Sequence, residues 1–292
     1  MSQSLERDSP CKVNLLLNIL GRRPDGFHEL ETVFHPVHYC DRLLFSRGGG
    51  GVELTCSDAR LPVDSTNLIH RAATGFLQEA GIRDGVRIQL EKKIPLAAGL
   101  GGGSGNAAVT LLGLNELFGK PLTADKLHAL ASKLGSDVPF FLQDKPALAT
   151  GRGEIIQSLE AFPAMRGMVL LLVQPGFGIS TAWAYKNLAR FPDALIGQPG
   201  RARRLVELLQ KPDLAAAGKD FYNSLEAPAL EKYPLLALFQ EFFRANGAVA
   251  TLMSGSGSTT FALVPQKSNG EVIMELLRSK FGESTWTAIV PV

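Results

Sequence analysis

Hydrophobic and polar residues alternate over residues 12–20. Val13, Leu15, Leu17 and Ile19 fall on one side, and Lys12, Asn14 and Asn18 on the other. Period two is the signature of a half-buried strand. Arg23-Pro24-Asp25-Gly26 then places Pro and Gly where a tight turn uses them. Further strand-like runs lie at 31–39, 42–46, 52–56 and 86–94. Between them, residues 66–80 carry Leu68, Ile69, Ala72, Ala73, Phe76 and Leu77 at helical spacing, with Asp64 or Ser65 available as the cap. After Ile94 a glycine-rich loop runs into a helix stopping at Gly119. A second helix, capped by Thr123, ends near Gly135, and short strands follow at 147–150 and near Ile155.

Beyond Arg166-Gly167 the pattern changes. A strand at 168–173 is followed by helices at 181–189, 201–209 and 228–246. Then come a strand at 248–253, a turn at 254–257, a strand at 259–264, a helix at 271–281 and a strand at 285–290. The order β-α-β-β-α-β is the split βαβ, ferredoxin-like plan with extra helices in its first crossover. The expected class is therefore α+β with two domains, 1–163 and 164–292, divided where Phe162-Pro163 and Arg166-Gly167 interrupt the periodicity.

Composition narrows the function. The 292 residues are 45% apolar and 20% charged, which excludes a disordered chain. A net charge of +2, with both signs interspersed, argues against a nucleic-acid coat, which needs a basic face. Cys11, Cys40 and Cys56 form no CxxC pair, so neither a disulfide framework nor a zinc site is expected. His35 and His38 are spaced HxxH, but a strand puts them on opposite faces and argues against a metal there. The first ten residues lack an apolar leader core, and no run approaches the ~20 apolar residues of a membrane span. A cytoplasmic protein that binds neither membrane nor nucleic acid is expected.

The most informative segment is Gly99-Leu100-Gly101-Gly102-Gly103-Ser104-Gly105, between a strand and a helix. Glycines let several backbone N–H groups approach a ligand without Cβ clashes. The helix behind them offers unpaired N–H groups and the positive end of its dipole. Both favour a polyphosphate, although a plain glycine turn has the same composition. No Lys follows as in GxxxxGK[ST], protein-kinase HRD and DFG elements are absent, and the acidic residue of a dinucleotide fingerprint is missing. A nicotinamide oxidoreductase is thereby disfavoured.

Three segments together resemble the GHMP kinase superfamily, named for galacto-, homoserine, mevalonate and phosphomevalonate kinases: the early strand with Lys12 and Asn14, the loop PLAAGLGGGSGNAA, and LMSGSGSTTFAL. SPCKVNLLLNILGRRPDGFHELETVFHPV, LGSDVPFFL and ATGRGE extend the likeness, toward members acting on a cytidyl diphosphate in non-mevalonate isoprenoid synthesis. The resemblance implies an N-terminal GHMP-kinase fold, similar to a small-subunit ribosomal protein domain, before the ferredoxin-like half. It also implies ATP and a small-molecule cytidyl diphosphate substrate, with Mg2+ expected because ATP's oxygens need neutralising; a monomer or weak homodimer is expected. By matching motifs, Lys12 and Asp137 would be the catalytic pair. Pro95, Leu96, Ala97, Ala98, Gly99, Leu100, Gly101, Gly102, Gly103, Ser104 and Gly105 would wrap the ATP phosphates, with Ser104 the candidate magnesium ligand. Asn14, Phe27, His28, Thr181 and Tyr185 would face the substrate. Position 105 is Gly where the superfamily usually shows a second Ser, 106 is Asn where Asp is frequent, and Phe27 stands where Tyr is usual.

Each residue also has a plainer reading. Asp137 can cap a helix beginning at Val138-Pro139, and Lys12 can be a solvated strand lysine. Phe27 can be a core anchor, Tyr185 a partly buried aromatic, and Gly255-Ser256-Gly257 a simple hairpin turn. At the level of the whole chain, the alternatives are a homoserine- or mevalonate-type kinase and, in a different class, an RNA-binding module. An aromatic ring beside a hydrogen-bonding group suits a pyrimidine base, which separates a cytidyl substrate from homoserine or mevalonate. Near-neutral charge and the long glycine loop weigh against RNA.

Overall fold

The computed structural model describes residues 4–282 and 284–292. Two long strands, β1 (Ser4–Arg22) and β2 (His28–Arg47), open the fold as a hairpin. The turn closes by Arg23 N–H donating to Phe27 O at 2.8 Å and by Phe27 N–H donating to the Asp25 carboxylate at 3.1 Å. The separate strands expected at 31–39 and 42–46 are one continuous strand.

The chain forms two compact units, and β1 and β2 pass from one to the other at Cys11/Lys12 and His38/Tyr39. One unit holds β1 up to Cys11, together with 39–94 and 101–144. Within it β3 (Val52–Cys56) pairs parallel with β4 (Val86–Glu91), and β4 pairs antiparallel with Arg42–Arg47 of β2. Three helices accompany these strands: α1 (Leu68–Ala80), α2 (Gly102–Leu117) and α3 (Ala124–Leu134). The apolar stripe of α1, Ile69, Ala72, Ala73, Phe76 and Leu77, is buried. Its cap is Asn67, whose side chain accepts from Ile69 N–H, rather than Asp64 or Ser65. Asp64 instead holds the preceding turn by accepting from Thr66. Thr123 caps α3 as expected. Helix α2 lies close on its sheet, for a Cβ at Gly113 would stand 2.7 Å from the Phe45 ring.

The other unit holds 12–38, 95–100 and 145–292. Here β5 (Ala147–Thr150) joins β2 at Thr32–Phe34, β6 (Ile155–Ser158) joins β5, and β8 (Tyr222–Asn223) pairs parallel with β1 at Leu16 and Leu17. A second sheet contains β7 (Val169–Gln174), β9 (Ala250–Met253), β10 (Thr260–Val264) and β11 (Trp286–Pro291) in the order β11-β7-β10-β9, all neighbours antiparallel. That order is the expected ferredoxin-like arrangement. Its crossover contains α4 (Thr181–Leu188), α5 (Pro192–Leu195), α6 (Arg201–Leu209), α7 (Leu214–Gly218), α8 (Glu226–Lys232) and α9 (Pro234–Ala245), and α10 (Lys267–Phe281) follows β10. The single helix expected at 228–246 is two, because Pro234 cannot continue the helix before it. Phe239, Phe243, Ile273, Met274 and Leu277 share one core with Val169, Leu171, Val173, Ala262 and Val264.

The described residues contain no cluster of three or more acidic, His or Cys side chains able to hold a metal ion. His35 packs against Phe162 with ring centroids 6.2 Å apart, and its Nδ1 donates to Pro36 O at 2.7 Å. Burial pushes its pKa down to about 4. The unfolded chain therefore takes up this proton at a higher pH than the folded one. Stability should fall as pH drops from about 6.5 to about 4, by at most ~3 kcal/mol, and His35→Gln should flatten that part of a denaturation-versus-pH curve. No described helix is long and apolar enough to cross a membrane.

Candidate active site

The alternation on β1 marks a buried polar row, not a solvated face: residues 11–19 are buried on both sides. Lys12 is 3% exposed, which removes the reading as a solvated lysine. Its Nζ donates to Asn14 Oδ1 at 2.5 Å and to Gly99 O at 3.1 Å, and it lies 5.4 Å from the Phe34 ring centroid. A buried ammonium needs such acceptors. Asn14 is held by its amide, which donates to Thr32 Oγ1 at 2.8 Å, and Thr32 in turn donates to Leu16 O at 2.5 Å. Lys12 and Asn14 are thus fixed together.

Residues 95–100 are bolted down along their length. Ile179 N–H donates to Ala97 O, Thr259 N–H to Ala98 O, and Lys12 N–H to Leu100 O, at 3.2, 3.1 and 2.9 Å. Gly99 O also accepts from Ser254 Oγ at 3.0 Å. Gly99 has φ +76°, and a Cβ there would stand 2.0 Å from Ser254 O. The 254–257 segment is therefore both a β9–β10 turn and a clamp on the glycine loop. A Cβ at Gly255 would likewise meet Gly99 O at 2.9 Å and Lys12 Nζ at 3.2 Å.

From Gly101 onward the loop belongs to the first-described unit. Gly101 has φ +70° and is the N-cap of α2. The first intrahelical bond from these glycines is Gly105 N–H to Gly101 O at 2.9 Å. The N–H groups of Gly102, Gly103 and Ser104 thus stand at the helix N-terminus, where such groups have no intrahelical acceptor. Gly105 is buried against β1: a Cβ would lie 2.7 Å from Pro10 O and 3.1 Å from Ser9 Oγ. Packing therefore accounts for Gly at 105. A Cβ at Gly102 would stand 3.1 Å from Lys92 Nζ, and one at Gly103 3.7 Å from Leu68 Cδ1. The Lys92 side chain is buried and ion-paired with Asp41, whose carboxylate also accepts from Lys93 and Ile94 N–H. Neither Lys92 nor Asp41 lies in a motif.

Ser104 sits in the first turn of α2, and among the described residues no hydrogen bond engages its hydroxyl. With no carboxylate cluster nearby, the donors present suit a magnesium ion carried largely by phosphate and water.

At the hairpin tip Phe27 is 52% exposed, so it is not a core anchor. The Arg152 guanidinium covers its ring, 4.7 Å from the centroid, and is itself steadied by Glu154. His28 packs on Tyr185 of α4 with centroids 5.0 Å apart. Burial first, and then the charge of Arg22, hold the His28 pKa below its ordinary value, which favours the neutral ring. Thr181 Oγ1 is 2.9 Å from Ser256 Oγ. The second unit thereby brings Lys12 and Asn14 together, His28 to Tyr185, and Thr181 to the 254–257 turn.

Asp137 lies half-buried in the turn between α3 and the 3-10 helix Pro139–Leu142. That helix has Val138 as its N-cap with no side-chain cap bond, so Asp137 is not the N-cap residue. The turn is held by Val138 N–H donating to Gly135 O and Phe141 N–H to Val138 O.

Residues 67–145 match the GHMP kinases N terminal domain and residues 205–283 the GHMP kinases C terminal domain. The chain is 40% identical over 259 residues to the 4-diphosphocytidyl-2-C-methyl-D-erythritol kinase of Synechococcus sp. (strain JA-3-3Ab), covering 87% of this chain and 83% of that one. The enzyme of the same name from Syntrophotalea carbinolica is 39% identical, with 94% of each chain covered. A crystal structure of 4-(cytidine 5'-diphospho)-2C-methyl-D-erythritol kinase superposes with TM-score 0.81 at 37% identity, over 99% of this chain and 100% of that one.

Proposed function

We propose, for a chain that belongs to the 4-diphosphocytidyl-2-C-methyl-D-erythritol kinases of the GHMP kinase family, that it moves the γ-phosphoryl group of ATP onto the 2-hydroxyl of 4-diphosphocytidyl-2-C-methyl-D-erythritol in non-mevalonate isoprenoid precursor synthesis. The observation that carries the site assignment is the buried Lys12 ammonium seated on Gly99 O. That carbonyl is part of the loop that runs directly into α2.

The parts divide as phosphoryl transfer requires: positioning, charge neutralisation and a proton acceptor. Residues 95–105 offer a backbone cradle and the α2 N-terminus to the triphosphate. Magnesium would neutralise phosphate oxygens, with the Ser104 hydroxyl as its protein ligand. Phe27, His28 and Tyr185 receive the cytosine, and Asn14 and Thr181 position the sugar alcohol and diphosphate. Asp137 accepts the hydroxyl proton as that oxygen bonds to the γ-phosphorus and the bond to the bridging oxygen of ADP breaks. Lys12 stabilises the charge that develops between them. The enzyme works in the cytoplasm as a monomer or weak homodimer.

An ADP-release assay with the cytidyl substrate, homoserine and mevalonate in parallel tests the assignment. Turnover confined to the cytidyl compound is expected, and preference for either other alcohol would refute it. His28→Ala should raise KM for the cytidyl substrate roughly tenfold, with KM for ATP within about twofold, because one stacked and hydrogen-bonding ring is lost. Equal changes in both constants would count against the base pocket.

A further inference from the structure

Glu31 lies three residues beyond His28 on β2, is 7% exposed, and takes no part in the chemistry described above. Its carboxylate is spent on another element. Oε2 accepts from Gly200 N–H at 3.0 Å, and Oε1 accepts from Ala202 N–H at 3.2 Å and from the Asn18 amide at 2.9 Å. Gly200 is the N-cap of α6 and has no side chain to cap it. Arg201, Arg203 and Arg204 crowd the first turn, where cations oppose the helix dipole. A carboxylate reaching in from β2 supplies the missing cap and the missing negative charge together.

The segment before α6 is pinned to the same hairpin. Gly197 N–H donates to Ile19 O at 2.7 Å, and the Asn18 amide also donates to Gln198 O at 2.8 Å. The approach is too close for a side chain, since a Cβ at Gly197 would lie 2.0 Å from Asn18 Oδ1. Arg201 then stacks 3.7 Å over the Tyr222 ring. Residues 197–202 form a strap across the β1–β2 hairpin, and Glu31 is its buckle. One side of the strap continues back to α4, which carries Thr181 and Tyr185. The hairpin carries Phe27 and His28 at its tip. The His28–Tyr185 contact joins the hairpin to α4, upstream of the strap that Glu31 ties to the same hairpin.

We infer that Glu31 is a positioning residue for substrate specificity: by clamping the 197–202 strap to the hairpin it sets the spacing of the Phe27, His28 and Tyr185 groups that receive the base. This inference rests on the cytidyl-kinase reading. It is tested with Glu31→Ala and Glu31→Gln, by steady-state kinetics and by amide hydrogen exchange on the whole chain. Losing a charge-assisted network should raise KM for the cytidyl substrate roughly tenfold or more in E31A, with kcat and KM for ATP within about twofold. E31Q keeps one acceptor oxygen and should fall between E31A and the unmodified chain, and it serves alone if E31A fails to fold. Exchange should quicken at Gly200 and Ala202 and spread to 27–30. Equal losses in kcat and both KM values, or an unchanged substrate KM despite quickened exchange at Gly200, would overturn the inference. If the unmodified chain does not turn over the cytidyl substrate, the activity assignment fails by itself. The strap is then judged by exchange: spread to 27–30 supports it, and quickening confined to 198–204 overturns it.

Discussion

Asp137→Asn should lower kcat by roughly 10²–10⁴-fold while leaving KM for both substrates and the melting temperature nearly unchanged. The substitution preserves the shape and most hydrogen-bonding capacity of the side chain and removes its ability to take a proton. Folding should not suffer, because the turn is held by backbone bonds among Gly135, Val138 and Phe141 and by the buried Val138, Pro139, Phe140 and Phe141. The 3-10 helix that follows takes its N-cap from Val138, so a loss of turnover could not be put down to a lost N-cap. A well-folded Asp137→Asn variant with undiminished turnover would take the proton-acceptor role from this residue.

Gly99→Ala should be the most damaging small substitution in the glycine loop. The added methyl meets Ser254 O at 2.0 Å and Gly257 backbone atoms at 3.0 Å, at a φ of +76°. The left-handed backbone alone costs about 1 kcal/mol, and the clash with a carbonyl that cannot swing aside raises the total to about 3 kcal/mol or more. Thermal unfolding should shift down by roughly 6 °C or more. Turnover should drop about 10²-fold, since Lys12, the proposed catalytic cation, is seated on the Gly99 carbonyl and small misplacements of catalytic groups carry penalties of that size. Gly167→Ala is the control. Its φ is +74°, yet nothing lies within 4 Å of the added methyl, so it should cost only the backbone strain of about 1 kcal/mol and leave turnover intact. Equal effects at both positions would mean that strain, not the grip of Ser254 on the loop, accounts for the loss.

The helix caps show how far local chemistry reads true. Thr123 was legible because nothing else competes for the start of α3. Asn67 was not, since Asp64, Ser65 and Asn67 all suit a cap and only the fold shows that Asp64 is spent on Thr66. Pro234, visible in the chain, divides what hydrophobic spacing alone reads as one helix. The short α5, α7 and β8 carry too few residues for any periodicity to emerge. In the site, glycine-rich segments advertise themselves because their composition costs conformational entropy. Single charged residues such as Lys92, Arg152 and Glu31 do not, for nothing in the chain says which partner each will meet.

Periodicity, turn chemistry and the two glycine-rich segments were sufficient for the α+β class, the ferredoxin-like order of the second half and a glycine-rich loop leading a helix. These are local properties, set by backbone sterics and by the spacing of apolar side chains along the chain. Tertiary packing alone settled that the polar row of β1 is buried, that Gly99 O is where the Lys12 ammonium rests, and that Glu31 caps a helix nearly 170 residues away (the Glu31–Gly200 separation is 169). Desolvation and partner choice depend on what the rest of the chain brings to each side chain. A one-dimensional pattern carries no record of that.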